Sequence, residues 1–354
     1  MENSIYIFKK PCLNYTLKTM LPFSVESLWC LNHQDFVNLL DVEVFVPKNH
    51  KICFYVPSFT YYKSSLFCSS TNVFPTISVT GTDCALNCKH CGGKVLTTMQ
   101  PAFTPDDLFN MCSIFKQSGA VGCLISGGCL SDGFVPLKPF VAAIARVKHE
   151  LGLTVFVHTG IIIDLDLAIL LKNAAVDAVL IDIIGSQETI DKVYRLNVTV
   201  SDCAKSLDVL QKVGLNFVPH VIVGLNEGKL DGEYAALQMI SHTTPSAVVI
   251  IAFMPLFGTE MTHVKPPQPY DIARVVALTR IMFPQTPITL GCMRPKGKLR
   301  GVIDVLALKS GVDAIAFPSQ EAIDFAQAQG WPISLSSYCC AKIFTDFSIN
   351  KKLE

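Results

Sequence analysis

The stretch Cys84-Ala85-Leu86-Asn87-Cys88-Lys89-His90-Cys91 sets three thiols at C-x3-C-x2-C spacing on what reads as a short loop. Such a loop can wrap one cubane iron–sulfur cluster, each thiolate taking one iron and leaving the fourth iron without a protein ligand. An open iron is a place where a small chelating molecule binds and is activated. The same thiols with a fourth donor would also hold zinc, so the motif alone leaves two metal chemistries open. Other reactive side chains follow at polar turns. Cys129 comes after Ser126-Gly127-Gly128, His158 before Thr159-Gly160, and Cys292 and Arg294 stand in Gly291-Cys292-Met293-Arg294-Pro295. Asp182 sits inside an apolar run, and Cys339 and Cys340 are adjacent. An unpaired carboxylate among apolar residues is costly, so Asp182 is expected to have a partner. His158, a lone histidine, is a structural residue or a substrate contact.

These residues need a scaffold. Short β-branched runs recur over 76–80, 121–126, 154–158, 178–183, 217–223, 247–253, 287–290 and 312–317. Helical spacing fills the intervals over 105–117, 136–150, 165–173, 201–213, 232–241, 271–283, 300–309 and 320–329. Continuous apolar runs are the pattern of parallel strands buried on both faces. Right-handed crossovers leave few arrangements for such units. The simplest is an α/β fold, a (β/α)8 TIM-type barrel, for which about 250 residues is usual; a doubly wound sheet is the alternative. Functional groups of a barrel lie beyond the C-terminal ends of its strands, where most of these residues fall. The expected organisation is an N-terminal extension or cap over 1–70, a barrel over 71–330 and a C-terminal extension over 331–354 with the Cys339–Cys340 pair. Cys112, Cys123 and Cys203 fall inside predicted helices and a strand and read as core.

The cysteine spacing after a first strand, together with the barrel pattern, resembles the radical S-adenosylmethionine (SAM) enzymes of the biotin-synthase-like group. The resemblance covers roughly residues 74–330 and implies a 4Fe–4S cluster on Cys84, Cys88 and Cys91, with SAM on the open iron. It implies cleavage of SAM to a 5′-deoxyadenosyl radical that takes hydrogen from an unactivated carbon. Gly127 and Gly128 match a Gly-Gly-Glu-like turn that meets SAM, with Cys129 replacing the acid. Asp182 stands where the family places a polar group for SAM, with Arg195 further along the same unit. Gly224 and Glu227 match a G-x-I-x-G-x-x-E segment whose first glycine is His220 here. Pro255 to Thr259 is similar to a Pro-x-x-Gly-Thr turn, which adds Gly258 to the cofactor-binding set.

Thr80-Gly81-Thr82-Asp83-Cys84, the Gly-Cys-Met-Arg-Pro segment and the terminal cysteine pair resemble the two-protein lipoyl synthase of archaeal type. That resemblance implies sulfur insertion into an octanoyl chain, with sulfide from an auxiliary iron–sulfur cluster. Cys68, Cys129, Cys292, Cys339 and Cys340 are the candidate ligands of that second cluster. Implied partners are an electron donor such as ferredoxin or flavodoxin, a second radical SAM subunit and a lipoyl-domain or carrier protein. Methylation, cyclisation or rearrangement of a small molecule is the alternative reaction, and a zinc-binding protein without catalysis is the third reading.

Composition narrows the field. Half the residues are apolar and 16% are charged, enough for a large core. With 29 basic and 29 acidic side chains, nothing points to nucleic acid or an acidic membrane. The longest apolar region, 161–184, is broken by Asp164, Asp166, Lys172, Asp177 and Asp182, so no membrane span is expected. No apolar segment of a secretory signal follows Lys9 and Lys10. A cytoplasmic location is expected, and fourteen cysteines then argue for metal and sulfur chemistry rather than disulfides.

Overall fold

The structure is a computed structural model and describes residues 24–42, 44–47, 50–57, 61–69 and 72–351. Cys12 lies outside the described residues. Among the described residues eleven strands form one parallel sheet: β1 (Ile52–Tyr55), β2 (Thr76–Ser78), β3 (Gln100–Pro101), β4 (Gly122–Ser126), β5 (Thr154–His158), β6 (Ala178–Asp182), β7 (Phe217–Val223), β8 (Val248–Ala252), β9 (Ile288–Leu290), β10 (Ala314–Ala316) and β11 (Ile333–Ser336). Their order is β11-β1-β10-β9-β8-β7-β6-β5-β4-β2-β3. The eight expected strands are β2 and β4 to β10, paired in sequence order as a TIM-type α/β fold requires.

Two departures are informative. Residues 52–55, read as part of an irregular extension, form β1, which pairs with β10 through Cys53 opposite Ala314 and Tyr55 opposite Ala316. β11 then pairs with the other edge of β1. Among the described residues no ladder joins β2 to β10. A four-residue strand carrying Cys53 and two aromatics gives no helical interval to announce it, so only its long-range pairing identifies it.

Helices cover the outside. The helix Pro105–Gln117 begins on a capping box between Thr104 and Asp107, with proline in its first turn. Leu108, Ile144, Leu171, Leu210 and Ile240 from the helices join Val155, Val179, Val221 and Ile250 from the strands in the main core. Alternate strand residues face the other way. Phe156, Leu180, Val218, Val249, Ala314 and Ala316 form a separate inner cluster. The C-terminal segment fills it: Cys340, Ala341 and Ile343 are buried there, Tyr338 lies 5.8 Å from Phe74, and Phe344 lies 6.5 Å from Phe156. The lumen is therefore packed at one end and becomes polar toward the C-terminal ends of the strands. No helix among the described residues is long and apolar enough to cross a membrane.

Candidate active site

The cysteine loop leaves β2 directly, and short backbone bonds shape it. Gly92 N–H donates to Cys88 O at 2.8 Å, Lys94 N–H to Cys91 O at 2.8 Å, and Ala85 N–H to Cys129 O at 2.8 Å. That last bond ties the loop to the turn after β4. Thr80 Oγ1 accepts from Gly128 N at 2.7 Å and donates to Asp83 O at 2.9 Å. A Cβ at Gly128 would lie 1.9 Å from Asp83 O and 2.6 Å from Cys84 Cβ. Only glycine lets the two loops approach this closely. Gly127 is less confined, with its nearest atoms Thr80 Oγ1 and Val79 Cγ2 both at 3.1 Å.

Cys88 is buried, Cys84 and Cys91 are half-buried, and all the described cysteines are free thiols. Single donor atoms of Cys88, His90 and Cys91 lie within 4.8 Å of one another. A hydrogen bond from Cys88 holds the Cys91 thiol down to about 4, helped by His90 against the effect of burial. Two buried polar atoms beside this loop have no hydrogen-bond partner, His90 Nδ1 and the Tyr194 hydroxyl, and the two rings meet edge to face at 5.1 Å. Close thiols, one of them predisposed to the thiolate, and unspent polar atoms are what a loop that holds an iron–sulfur cluster and its small ligand requires.

Next to the loop is a polar layer. His158 ends β5, Asp182 ends β6, and His220 lies in β7 directly opposite Asp182. Each follows by two residues a member of the inner cluster (Phe156, Leu180, Val218), so all three face the lumen one layer higher. One donor atom from each lies within 4.8 Å of the others. The expected partner of Asp182 is His158, whose Nε2 is 3.5 Å from Asp182 Oδ1. Burial works to raise the Asp182 carboxyl, but His158, His220 and His90 outweigh it and leave the group below its ordinary value. Burial, with His158 adding to it, pushes His220 down to about 4, so that ring is neutral near pH 7.

The remaining expected site residues stand on other turns. Glu227 is exposed on the turn after β7 with a left-handed φ of 53°. The carboxylate that holds this turn is Glu233, buried, which accepts from Gly224 N at 2.7 Å. Its signal in the sequence was an acid opening a helix just past a Gly-rich turn. Gly258, with a φ of 77°, is exposed beside Lys94, and its loop reaches the cysteine motif through Met261 N–H donating to Lys89 O at 3.2 Å. Arg195 forms an exposed pair with Glu260.

Three of the five candidates for a second cluster, Cys292, Cys339 and Cys340, lie together at the inner cluster, while Cys129 and Cys68 lie elsewhere. Cys129 packs with Cys84 and Cys88, while Cys292 and Cys339 pack against the inner cluster that buries Cys340. Cys68 is exposed on a turn bridged to Lys63. Arg294 is fully buried, bonded to Asp304 at 2.7 and 2.9 Å and to the Ala316 carbonyl at 2.8 Å. It ties the loop after β9 to the end of β10 and does not point into the lumen's polar layer. Cys112, Cys123 and Cys203 are buried as expected.

A parallel TIM-type barrel with a three-thiol loop after its first core strand defines a class of SAM-cleaving enzymes. Residues 78–233 match the radical SAM superfamily. The biotin synthase of Rickettsia felis is 24% identical over 263 residues, covering 73% of this chain and 84% of that protein. That of Lawsonia intracellularis is 25% identical over 241 residues, covering 66% and 74%. Among solved structures, methylornithine synthase (PylB) shares the fold at a TM-score of 0.56 and 14% identity, covering 88% of this chain and 93% of that one. The FeFe-hydrogenase maturase HydG from Carboxydothermus hydrogenoformans does so at 0.59 and 12%, covering 90% and 77%. Residues 78–233 thus carry the radical SAM match, and the chain is similar to the biotin-synthase-like group. Its cofactors are a 4Fe–4S cluster and SAM.

Proposed function

We propose that Cys84, Cys88 and Cys91 hold the 4Fe–4S cluster and that the enzyme removes hydrogen from a substrate carbon in the upper barrel. The observation that carries this is the meeting of the thiol loop and the polar layer of His158, Asp182 and His220 at one end of the lumen. When bound and reduced, the cluster supplies the electron that splits SAM into methionine and the 5′-deoxyadenosyl radical. The chain's own part is positional. Gly127 and Gly128 bring backbone against the cysteine loop, Gly224 and its anchor Glu233 shape the turn after β7, and Gly258 lies on a loop bonded to the motif. The packed lower lumen excludes water from below. An external donor such as ferredoxin or flavodoxin supplies the electron.

The biotin synthase relatives favour sulfur insertion as the step after hydrogen abstraction. The lipoyl-type form, insertion into an octanoyl chain with a second radical SAM subunit and a carrier protein, has less in its favour. A bare alkyl chain would have to lie against Asp182 and two histidines and would give the carboxylate no donor beyond His158. Of the candidates for a second cluster, Cys292, Cys339 and Cys340 lie together and Cys68 and Cys129 lie apart from them, and no step is derived from such a cluster.

Anaerobic reconstitution tests the reading. The wild type should take up iron and sulfide, turn brown and release 5′-deoxyadenosine from SAM with dithionite, and the Cys84/Cys88/Cys91 triple alanine variant should do neither. A colourless protein with stoichiometric zinc would refute it. More than four irons per chain would favour sulfur insertion, and a limit of four would favour another radical reaction.

A further inference from the structure

The hydrogen bonds around the polar layer determine where its protons lie. His158 Nδ1 accepts from Gly160 N–H at 3.3 Å, so its proton is on Nε2, facing Asp182. His220 Nδ1 stands 3.0 Å from Val218 O. A carbonyl can only accept, so Nδ1 carries the proton and Nε2 presents a bare lone pair. Among the described residues neither His220 Nε2 nor Asp182 Oδ2 has a hydrogen-bond partner. The layer thus holds one carboxylate, one donated proton and two free acceptors, in a lumen whose next layer is Phe156, Leu180 and Val218. The groups facing Asp182 are histidines from β5, β7 and the cysteine loop, and none of them is a permanent cation.

A negative site with two vacant acceptors suits a ligand that brings positive charge and several N–H groups. A divalent cation is the competing occupant, since two histidines and a carboxylate are a familiar donor set. The His158 tautomer opposes it: a metal on Nε2 requires the proton on Nδ1, where Gly160 N–H already donates. A primary ammonium meets no such conflict, because it donates to Asp182 Oδ2 and to His220 Nε2 while His158 keeps its bond to Oδ1.

We propose that Asp182, flanked by His158 and His220, is the substrate anchor of this barrel and that it takes a protonated primary amine. The inference rests on the radical SAM reading above and gives it a substrate class. It places the anchored end of the substrate beside the cysteine loop, since His90 and Cys129 both act on or feel the Asp182 carboxylate. The reacting carbon is then within a few bonds of the nitrogen. Asp182 and His220 are positioning residues for the reaction, holding the substrate rather than exchanging atoms with it.

The test uses the anaerobically reconstituted full-length protein and three matched probes, hexylammonium, hexanoate and hexan-1-ol, titrated calorimetrically in the presence of SAM. Hexylammonium should bind, and the other two should bind at least about tenfold more weakly. Asp182→Asn, which keeps the shape and removes the charge, should weaken hexylammonium by about tenfold or more. The KM for SAM in dithionite-driven cleavage should move less than that. His220→Phe should weaken the amine severalfold, which keeps the inference testable if Asp182→Asn loads iron poorly. Equal binding of hexanoate would overturn the proposal. So would an Asp182→Asn variant whose loss falls on SAM while the amine affinity holds, for that would give the carboxylate to the SAM hydroxyls or amino group. One equivalent of zinc retained by the Cys84/Cys88/Cys91 triple alanine variant and lost on adding Asp182→Asn would replace the amine with a metal. A wild type that binds hexylammonium and cleaves no SAM would support the anchor and defeat the radical reading.

Discussion

Arg294 offers the sharpest separation between a structural and a catalytic reading of the loop after β9. Both it and Asp304 are wholly excluded from solvent. Asp304 accepts from Arg294 Nε at 2.7 Å and Nη2 at 2.9 Å, takes Ser319 N–H at 2.8 Å, and has Arg300 at 3.6 Å. Asp304→Asn leaves the Arg294 guanidinium buried with carbonyl partners only. Breaking one side of such a pair costs about 3–5 kcal/mol. At about 2 °C per kcal/mol for a long chain, the thermal midpoint should fall by about 6–10 °C. The double replacement Arg294→Met with Asp304→Leu should regain less than half of that loss, because it removes the buried charge but leaves the Ala316 carbonyl and Ser319 N–H without these partners. Differential scanning calorimetry under nitrogen reads the midpoint, and an iron assay on the same samples reads the cluster. A midpoint shift below about 2 °C would refute the argument. Loss of iron at an unchanged midpoint would do so too, and would return Arg294 to a role in supporting a metal centre.

Gly128→Ala should abolish iron loading while the far-ultraviolet circular dichroism stays near wild type, because a Cβ 1.9 Å from Asp83 O forces the cysteine loop to move. Iron and sulfide content checks this beside a Gly152→Ala control, where the added Cβ meets no atom within 4 Å and the cost is only that of a left-handed φ of 62°. His50, buried against Trp331 at 4.5 Å, is pushed down to about 4, chiefly by burial. The folded state then binds fewer protons than the unfolded one between about pH 4 and 6.5, so this contribution is complete above 6.5 and is lost as pH falls through 4. About 3 kcal/mol is at stake, and His50→Phe should flatten the acid limb of a denaturation series accordingly. Glu233 works in the other direction. Burial raises its carboxyl to about 7, so its contribution is complete below pH 4.5 and lost as pH rises through 7. Glu233→Gln should remove that decline, and an unchanged slope between pH 4.5 and 7 would count against the burial argument.

The cysteine loop and the eight core strands were legible because their signals are local. Three thiols within eight residues stay close in any compact fold, and a continuous run such as 217–223 shows its burial on both faces by itself. Gly127 and Gly128 were assigned by resemblance to a turn that meets SAM, and their approach to the cysteine loop came from the structure. Less was legible where one role could be filled by several neighbours. Resemblance assigned Glu227 to the cofactor, whereas the carboxylate that accepts from the Gly224 backbone, Glu233 six positions on, was not singled out.

The amino-acid sequence by itself determined that His158, Asp182 and His220 fall within three consecutive strand runs, over 154–158, 178–183 and 217–223. It could not determine that the three meet. That depends on the stagger between β5, β6 and β7, which puts Asp182 opposite His220 and His158 opposite Leu180. Tertiary structure likewise decided that β1 pairs with β10, that Arg294 spends its charge on Asp304 and that Cys292, Cys339 and Cys340 gather away from Cys68 and Cys129. Register and strand order are properties of pairs of distant segments, and a residue pattern read along one segment carries no record of its partner's height.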